Sequence, residues 1–142
     1  MPKFSLERII RADREKVFEI FSNYDSYQKR FSEHYPSIRV RSVRNNVAVV
    51  EEHLNFDNEE FVIMAKHVSE KPKLHEIFII GGDAKGSYIK QQFVQLGEKT
   101  KVVVDVDLKI KGKQKIMSLF RKNNFEENYS KILDDFVKAA EN

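Results

Sequence analysis

The chain has 142 residues, of which 41% are hydrophobic and 33% charged, and it contains no cysteine. No apolar run approaches the roughly 20 residues needed to cross a bilayer, so stable membrane insertion is not expected. Disulfide and thiolate chemistry are excluded with the cysteines. The 25 Lys and Arg are largely offset by 22 Asp and Glu, leaving a net charge of +3. A nucleic-acid binder shows a concentrated basic stripe, so no nucleic-acid partner is expected. Met1 to Ser5 lacks the apolar stretch of a signal peptide, which points to a cytoplasmic protein. Residues 1–142 are expected to form one domain.

Phe4 to Arg11 alternates apolar and polar residues and predicts a strand. Asp13 stands where a helix N-cap belongs, and Val17, Phe18, Ile20 and Phe21 fall on one helical face. Asn23 breaks that helix. Asp25 is placed to cap a second one, in which Tyr24, Tyr27 and Phe31 share a face. Both helices are short and must pack on a sheet to persist.

Tyr35-Pro36 ends the helical pair, and Ser37 to Arg44 reads as a strand with one wet face. Asn45-Asn46 suits a tight hairpin turn with positive φ. Val47 to Phe56 returns with Ala48, Val50, Leu54 and Phe56 in phase, and Asp57-Asn58 turns the chain again. Further strands are predicted over Phe61 to Val68, Leu74 to Ile80, Ser87 to Leu96 and Lys101 to Lys111. Gly81 to Gly86 is expected to be a flexible loop, a gate or a plain surface connection. In Ser87 to Leu96 one register turns in Ile89, Gln91 and Phe93, and the other Tyr88, Lys90 and Val94. After Gly112 the pattern becomes helical: Ile116, Leu119 and Phe120 cluster first, with a weak point at Asn123-Asn124. Phe125, Tyr129, Ile132, Leu133, Phe136, Val137 and Ala140 then mark one face.

Strands at regular spacing with turn signals predict an antiparallel sheet of about seven strands. Its apolar face needs a cover, and only the C-terminal helix is long enough to supply one. The fold expected is α+β, a curved sheet wrapped on that helix with two short helices after the first strand. Such a wrap is hard to fill completely, and the leftover space predicts a cavity for a small hydrophobic ligand.

Candidate chemistry is sparse. Neither a metal site nor a cofactor nor a catalytic residue is assigned. His34, His53, His67 and His75 show no ligand spacing and read as isolated strand or surface histidines. No serine sits in a Gly-x-Ser-x-Gly elbow. Gly81 to Ser87 lacks both the residue order and the following helix of a phosphate loop. Arg39, Arg41 and Arg44, and Lys109, Lys111, Lys113 and Lys115, read as solvated faces. Glu52 stands out because it shares parity with Ala48, Val50, Leu54 and Phe56, which aims a carboxylate at the concave face. There it either binds a ligand hydroxyl, acts as a base, or is neutralised by an arginine or turned out by a bulge. The expected ligand-binding residues are Glu52, Phe56, Phe78, Phe93, Val104, Val106, Phe125 and Tyr129. Val62, Met64 and Val68 form an outer apolar patch for a transient protein partner if Phe61 and Ile63 face inward.

The segment Ile10-Arg11-Ala12-Asp13-Arg14-Glu15-Lys16-Val17-Phe18-Glu19-Ile20-Phe21-Ser22-Asn23-Tyr24-Asp25-Ser26-Tyr27, followed by Ser42-Val43, resembles the N-terminal signature of the START-like, or helix-grip, superfamily. That group includes polyketide cyclase/dehydrase and lipid-transport proteins. The coenzyme Q-binding and cyclase-like branch is the most similar. There is no Trp, and Phe31 stands where many relatives carry one. The short Asn45-Asn46 connection replaces the glycine-rich loop of the plant allergen type. The resemblance implies binding or transport of a lipid- or isoprenoid-like molecule. The alternatives are a cyclase or dehydratase acting on a hydrophobic substrate, and a protein-interaction module without a ligand.

Overall fold

The structure is a computed structural model and describes residues 3–56, 59–109 and 124–142. Strand β1 (Lys3–Ile10) leads into helix α1 (Arg14–Ser22). A 3-10 turn at Tyr24–Ser26 and a single helical turn, α2 (Tyr27–Arg30), follow. Next come β2 (Ser37–Arg44), β3 (Val47–Phe56), β4 (Glu59–Glu70), β5 (Leu74–Gly82), β6 (Tyr88–Leu96) and β7 (Lys99–Asp107). Helix α3 (Asn124–Glu141) lies beyond them. The expected turn at Asp57-Asn58 and the expected helical cluster Ile116, Leu119 and Phe120 fall outside the described residues.

The seven strands form one sheet in the order β1-β7-β6-β5-β4-β3-β2, and every neighbouring pair is antiparallel. β1 and β2 are therefore the two edges, and the short helices carry the chain from one edge to the other. Register irregularities at Val40/Ser42 and Met64/Ala65 bend the sheet. The result is the α+β helix-grip arrangement, a curved sheet closed around α3.

Local chemistry explains the elements. Asp13 is extended (φ −74°, ψ 160°), and its carboxylate accepts the Lys16 N–H at 3.0 Å. That satisfies one of the free donors at the start of α1. Replacing Asp13 with Ala is expected to cost about 1 kcal/mol, while Asn retains most of the stability. Urea denaturation reads both, and an Ala variant as stable as the parent would show the cap to be idle.

Asp25 does not cap the second helix. The Asn23 carbonyl already accepts the Ser26 N–H at 3.1 Å and the Ser26 hydroxyl at 2.8 Å. The chain therefore tightens into the 3-10 turn directly after α1, and α2 starts without a side-chain cap. This tight entry buries Tyr24, Tyr27 and Phe31 together.

The strand parities read from the sequence appear as a concave apolar face. It presents Val50 and Leu54 from β3, Ala65 from β4, Ile79 from β5, Phe93 from β6 and Val102 from β7, all buried. In β6 the register turns in Ile89, Gln91 and Phe93, because each pairs with an inward valine: Val106, Val104 and Val102. Asn45 adopts φ 55° in the hairpin between β2 and β3, as expected of that turn. Gly81 and Gly82 extend β5 rather than forming a loose loop, and the turn spans only residues 83–86. Gly82 has φ 80°, and a Cβ there would lie 2.3 Å from the Val62 carbonyl oxygen. Asp83 then clamps the turn, its N–H donating to Val62 O at 2.9 Å and its carboxylate accepting the Val62 N–H at 3.0 Å.

α3 buries Phe125, Tyr129, Ile132, Leu133, Phe136 and Ala140, the face expected from their spacing. Polar ties hold its other sides. Arg8 donates to Asp134 at 2.8 Å and to Ser130 at 2.6 Å, and the Arg11 N–H donates to Glu141 at 2.9 Å. His34 meets Asp135 at 2.6 Å.

Candidate functional site

A cavity of about 60 Å³ lies between the concave face and α3. Its walls are mainly apolar, with Phe56, Phe61, Ile63, Ile79, Phe125 and Leu133 among them. The space holds a few waters, whereas pockets for drug-sized ligands run to roughly 300–1,000 Å³. A ligand of that size must therefore spread α3 from the sheet or displace side chains.

One stripe of the concave face is polar. Glu52 of β3, His67 of β4, His75 of β5 and Gln91 of β6 are all buried. Glu52 Oε2 lies 2.6 Å from His67 Nε2. His67 Nδ1 lies 3.1 Å from His75 Nε2, and His75 Nδ1 lies 2.6 Å from Gln91 Oε1. Gln91 Nε2 donates to the Tyr129 hydroxyl at 3.1 Å, carrying the chain across to α3. The Tyr24 hydroxyl joins from the 3-10 turn, 2.8 Å from His75 Nε2.

The proton pattern follows from the partners. Gln91 Oε1 can only accept, so His75 Nδ1 carries a hydrogen. His75 Nε2 is then bare, and its one lone pair faces the Tyr24 hydroxyl at 2.8 Å and His67 Nδ1 at 3.1 Å. The 2.6 Å contact between His67 Nε2 and Glu52 Oε2 holds a proton between them. Burial, reinforced by His67 nearby, pulls His75 down to about 3, which agrees with its neutral form. Burial pushes Tyr129 up to about 12, and the Gln91 contact only partly opposes it. Tyr24, Tyr27 and Tyr35 are also raised by burial. All four remain hydroxyl donors near neutral pH.

Of the residues expected at the site, Glu52, Phe56, Phe125 and Tyr129 line the cavity. Phe93, Val104 and Val106 are buried but stand off it. Phe93 packs edge-on against Phe18 and Phe21, with ring centroids at 5.1 and 5.3 Å. Phe78 lies on the opposite face of the sheet, 5.0 Å from the Tyr88 ring and under the Lys66 ammonium at 5.3 Å. Its neighbours His75, Ile77 and Ile79 take the inward parity, so Phe78 must point out. The arginine partner weighed for Glu52 is replaced by His67. His67 and His75 are not isolated histidines but the middle of the buried chain. The signal for His67 was parity: once Phe61 and Ile63 face inward, Ala65 and His67 follow. His53 is half-buried rather than isolated, 3.6 Å from both Glu51 and Glu60. Val62 is exposed on the outer face, with Met64 and Val68 half-buried beside it.

No helix among the described residues is long and apolar enough to cross a membrane. His34, Glu33 and Asp135 could together offer three ligand atoms to a metal, but Glu33 is exposed and His34 is already engaged by Asp135.

A seven-stranded sheet gripping a helix, with an apolar cavity between them, defines a START-like protein. The chain belongs to the polyketide cyclase/dehydrase and lipid transport family, whose model matches residues 10–137. The protein TTHA0849 from Thermus thermophilus superposes with a TM-score of 0.85 at 15% identity, covering 98% of this chain and 97% of that one. The Zhui aromatase/cyclase from Streptomyces sp. R1128 superposes with a TM-score of 0.86 at 12% identity, covering 99% and 93%. A START superfamily protein from Mycobacterium smegmatis gives a TM-score of 0.77 at 16% identity, covering 96% and 97%. At these identities the likeness is one of fold. No curated protein matches the sequence significantly.

Proposed function

We propose that this protein binds a small hydrophobic, lipid- or isoprenoid-like molecule between the sheet and α3, as a carrier or sensor. The observation that carries this reading is a mainly apolar cavity with a hydrogen-bonded polar stripe along one wall. Apolar burial supplies affinity at about 25 cal/mol per Å². The polar stripe orients the occupant, since a buried polar group left without a partner costs about 1–3 kcal/mol. Family membership supports the same class of ligand.

The test is native purification, extraction with organic solvent and mass spectrometry of the extract. A stoichiometric hydrophobic molecule is the expected result. An occupant that binds only the folded state also raises the melting temperature as its concentration rises above Kd. An empty extract, with no thermal shift across a broad lipid panel, would refute the reading in favour of a protein-interaction module.

A second reading, an enzyme of the cyclase or dehydratase kind, draws on one observation. The Glu52–His67 pair holds a proton at the cavity wall, where an acid or base would have to act. Turnover of an extracted ligand, lost on Glu52→Gln, would favour the enzyme over the carrier.

A further inference from the structure

We propose that the polar head of the occupant is a hydroxyl, of an alcohol, enol or phenol, held by Tyr129 as donor and Glu52 as acceptor. This rests on the ligand-binding reading above and names the chemistry of its ligand.

The argument starts from Gln91. Its carbonyl is taken by His75 Nδ1–H at 2.6 Å, which leaves only its N–H groups for Tyr129. Gln91 therefore donates to the Tyr129 oxygen, and the Tyr129 hydrogen does not return along the chain. It has no acceptor among the described residues, and Tyr129 lines the cavity. Glu52 shows the reverse polarity. Its Oε2 is engaged by His67, while Oε1 has no hydrogen bond among the described residues. Glu52 lines the same cavity. The cavity thus presents one free donor, from α3, and one free acceptor, from β3.

No Lys or Arg is among the described residues lining the cavity, whereas the Glu52 carboxyl is. A carboxylate head would bring in a charge with nothing to balance it. A ketone, ether or quinone accepts from Tyr129 but leaves Glu52 unmet. A hydroxyl oxygen accepts one hydrogen and donates another, and so satisfies both. Gln91 acts as a positioning residue, because its amide orientation decides which way the Tyr129 hydrogen is offered.

Four probes separate the terms: naphthalene, 2-methoxynaphthalene, 2-naphthol and 2-naphthoate, each titrated against the intact protein by its own fluorescence. The methoxy compound should bind roughly three- to tenfold tighter than naphthalene, and 2-naphthol tighter again by a similar factor, one neutral hydrogen bond per step. 2-Naphthoate should bind weakest of the oxygenated three. Tyr129→Phe should remove the first step. Glu52→Gln should remove the second, since its amide offers donors to the cavity once its oxygen is held by His67. Gln91→Glu should also remove the first step with Tyr129 in place, because a carboxylate there accepts the Tyr129 hydrogen. A purely structural Gln91 would instead weaken all four probes equally.

If the probes bind with equal affinity, or if 2-naphthoate binds best, the hydroxyl inference falls while the ligand-binding reading stands. If none binds, both fall. The ratios in the parent protein decide this even where a variant fails to fold.

Discussion

Phe136→Ala is expected to destabilise the protein by about 3–5 kcal/mol, the cost of emptying a large buried aromatic site. Phe136 is 4% exposed and sits where α3 meets the short helices. It stacks on Phe31 with ring centroids 4.0 Å apart and planes 6° from parallel. The Phe21 ring lies at 4.9 Å and the Tyr27 ring at 5.2 Å. The neighbours cannot collapse into the gap, because Phe21 is pinned by Phe93 and the Tyr27 hydroxyl is bonded to the Phe21 carbonyl. Domains are stable by only about 5–15 kcal/mol, so this one change removes a large share. The measurement is the urea midpoint with its slope. A midpoint within error of the parent would mean that α3 is not held by this cluster. Phe136→Leu should cost clearly less. Phe136 also lines the cavity, so the Ala variant should accept bulkier ligands wherever it stays folded.

Acid is expected to unfold the protein through His75. In the folded state its pKa lies near 3, because the ring is wholly buried and His67 adjoins it. In the unfolded chain it returns to the ordinary value of about 6.5. Between those values the unfolded state binds the extra proton, so stability falls as pH falls. The slope approaches about 1.4 kcal/mol per pH unit below 6.5 and levels off near pH 3. From pH 7 to pH 5 this one group removes about 2 kcal/mol. Urea midpoints across that range, for the parent and for His75→Gln, isolate the effect. The variant should be less stable at pH 7 and lose less on acidification. Parallel pH profiles for the two proteins would rule out His75 as the source.

Much of the architecture was legible in the linear pattern. The alternation of Val102, Val104 and Val106 and the spacing of Tyr129, Leu133 and Phe136 are local properties, and each element obeyed them. Asp13 announced its helix by residue type and position alone. Asp25 carried the same signal and misled, because the Ser26 contacts to Asn23 tightened the chain first. Propensity ranks options, and the burial of Tyr24 and Tyr27 decided between them.

The site was legible only in part. Glu52 could be aimed at the concave face by counting from Phe56, and it is there. His67 obeys the same count from Phe61, but as one polar residue in an apolar row it gave no sign of a partner. Phe78 looked like any other aromatic until the parity of His75 and Ile79 turned it outward.

Sequence alone determined which residues share a face, because a strand alternates sides every residue and a helix repeats every 3.6, whatever surrounds them. Tertiary structure decided which face turns in, as for β6 and Phe78, and which inward residues touch. His67 pairs across the ladder with Ala48, and Glu52 with Ile63, four positions further along β3. In a flat sheet their side chains would lie far apart. The bend of the sheet and the small side chain of Ala65 between them let a carboxylate and an imidazole meet at 2.6 Å. The link from Gln91 to Tyr129 likewise joins a strand to a helix 38 residues away. Curvature and docking are properties of the assembled whole, and no local period encodes them.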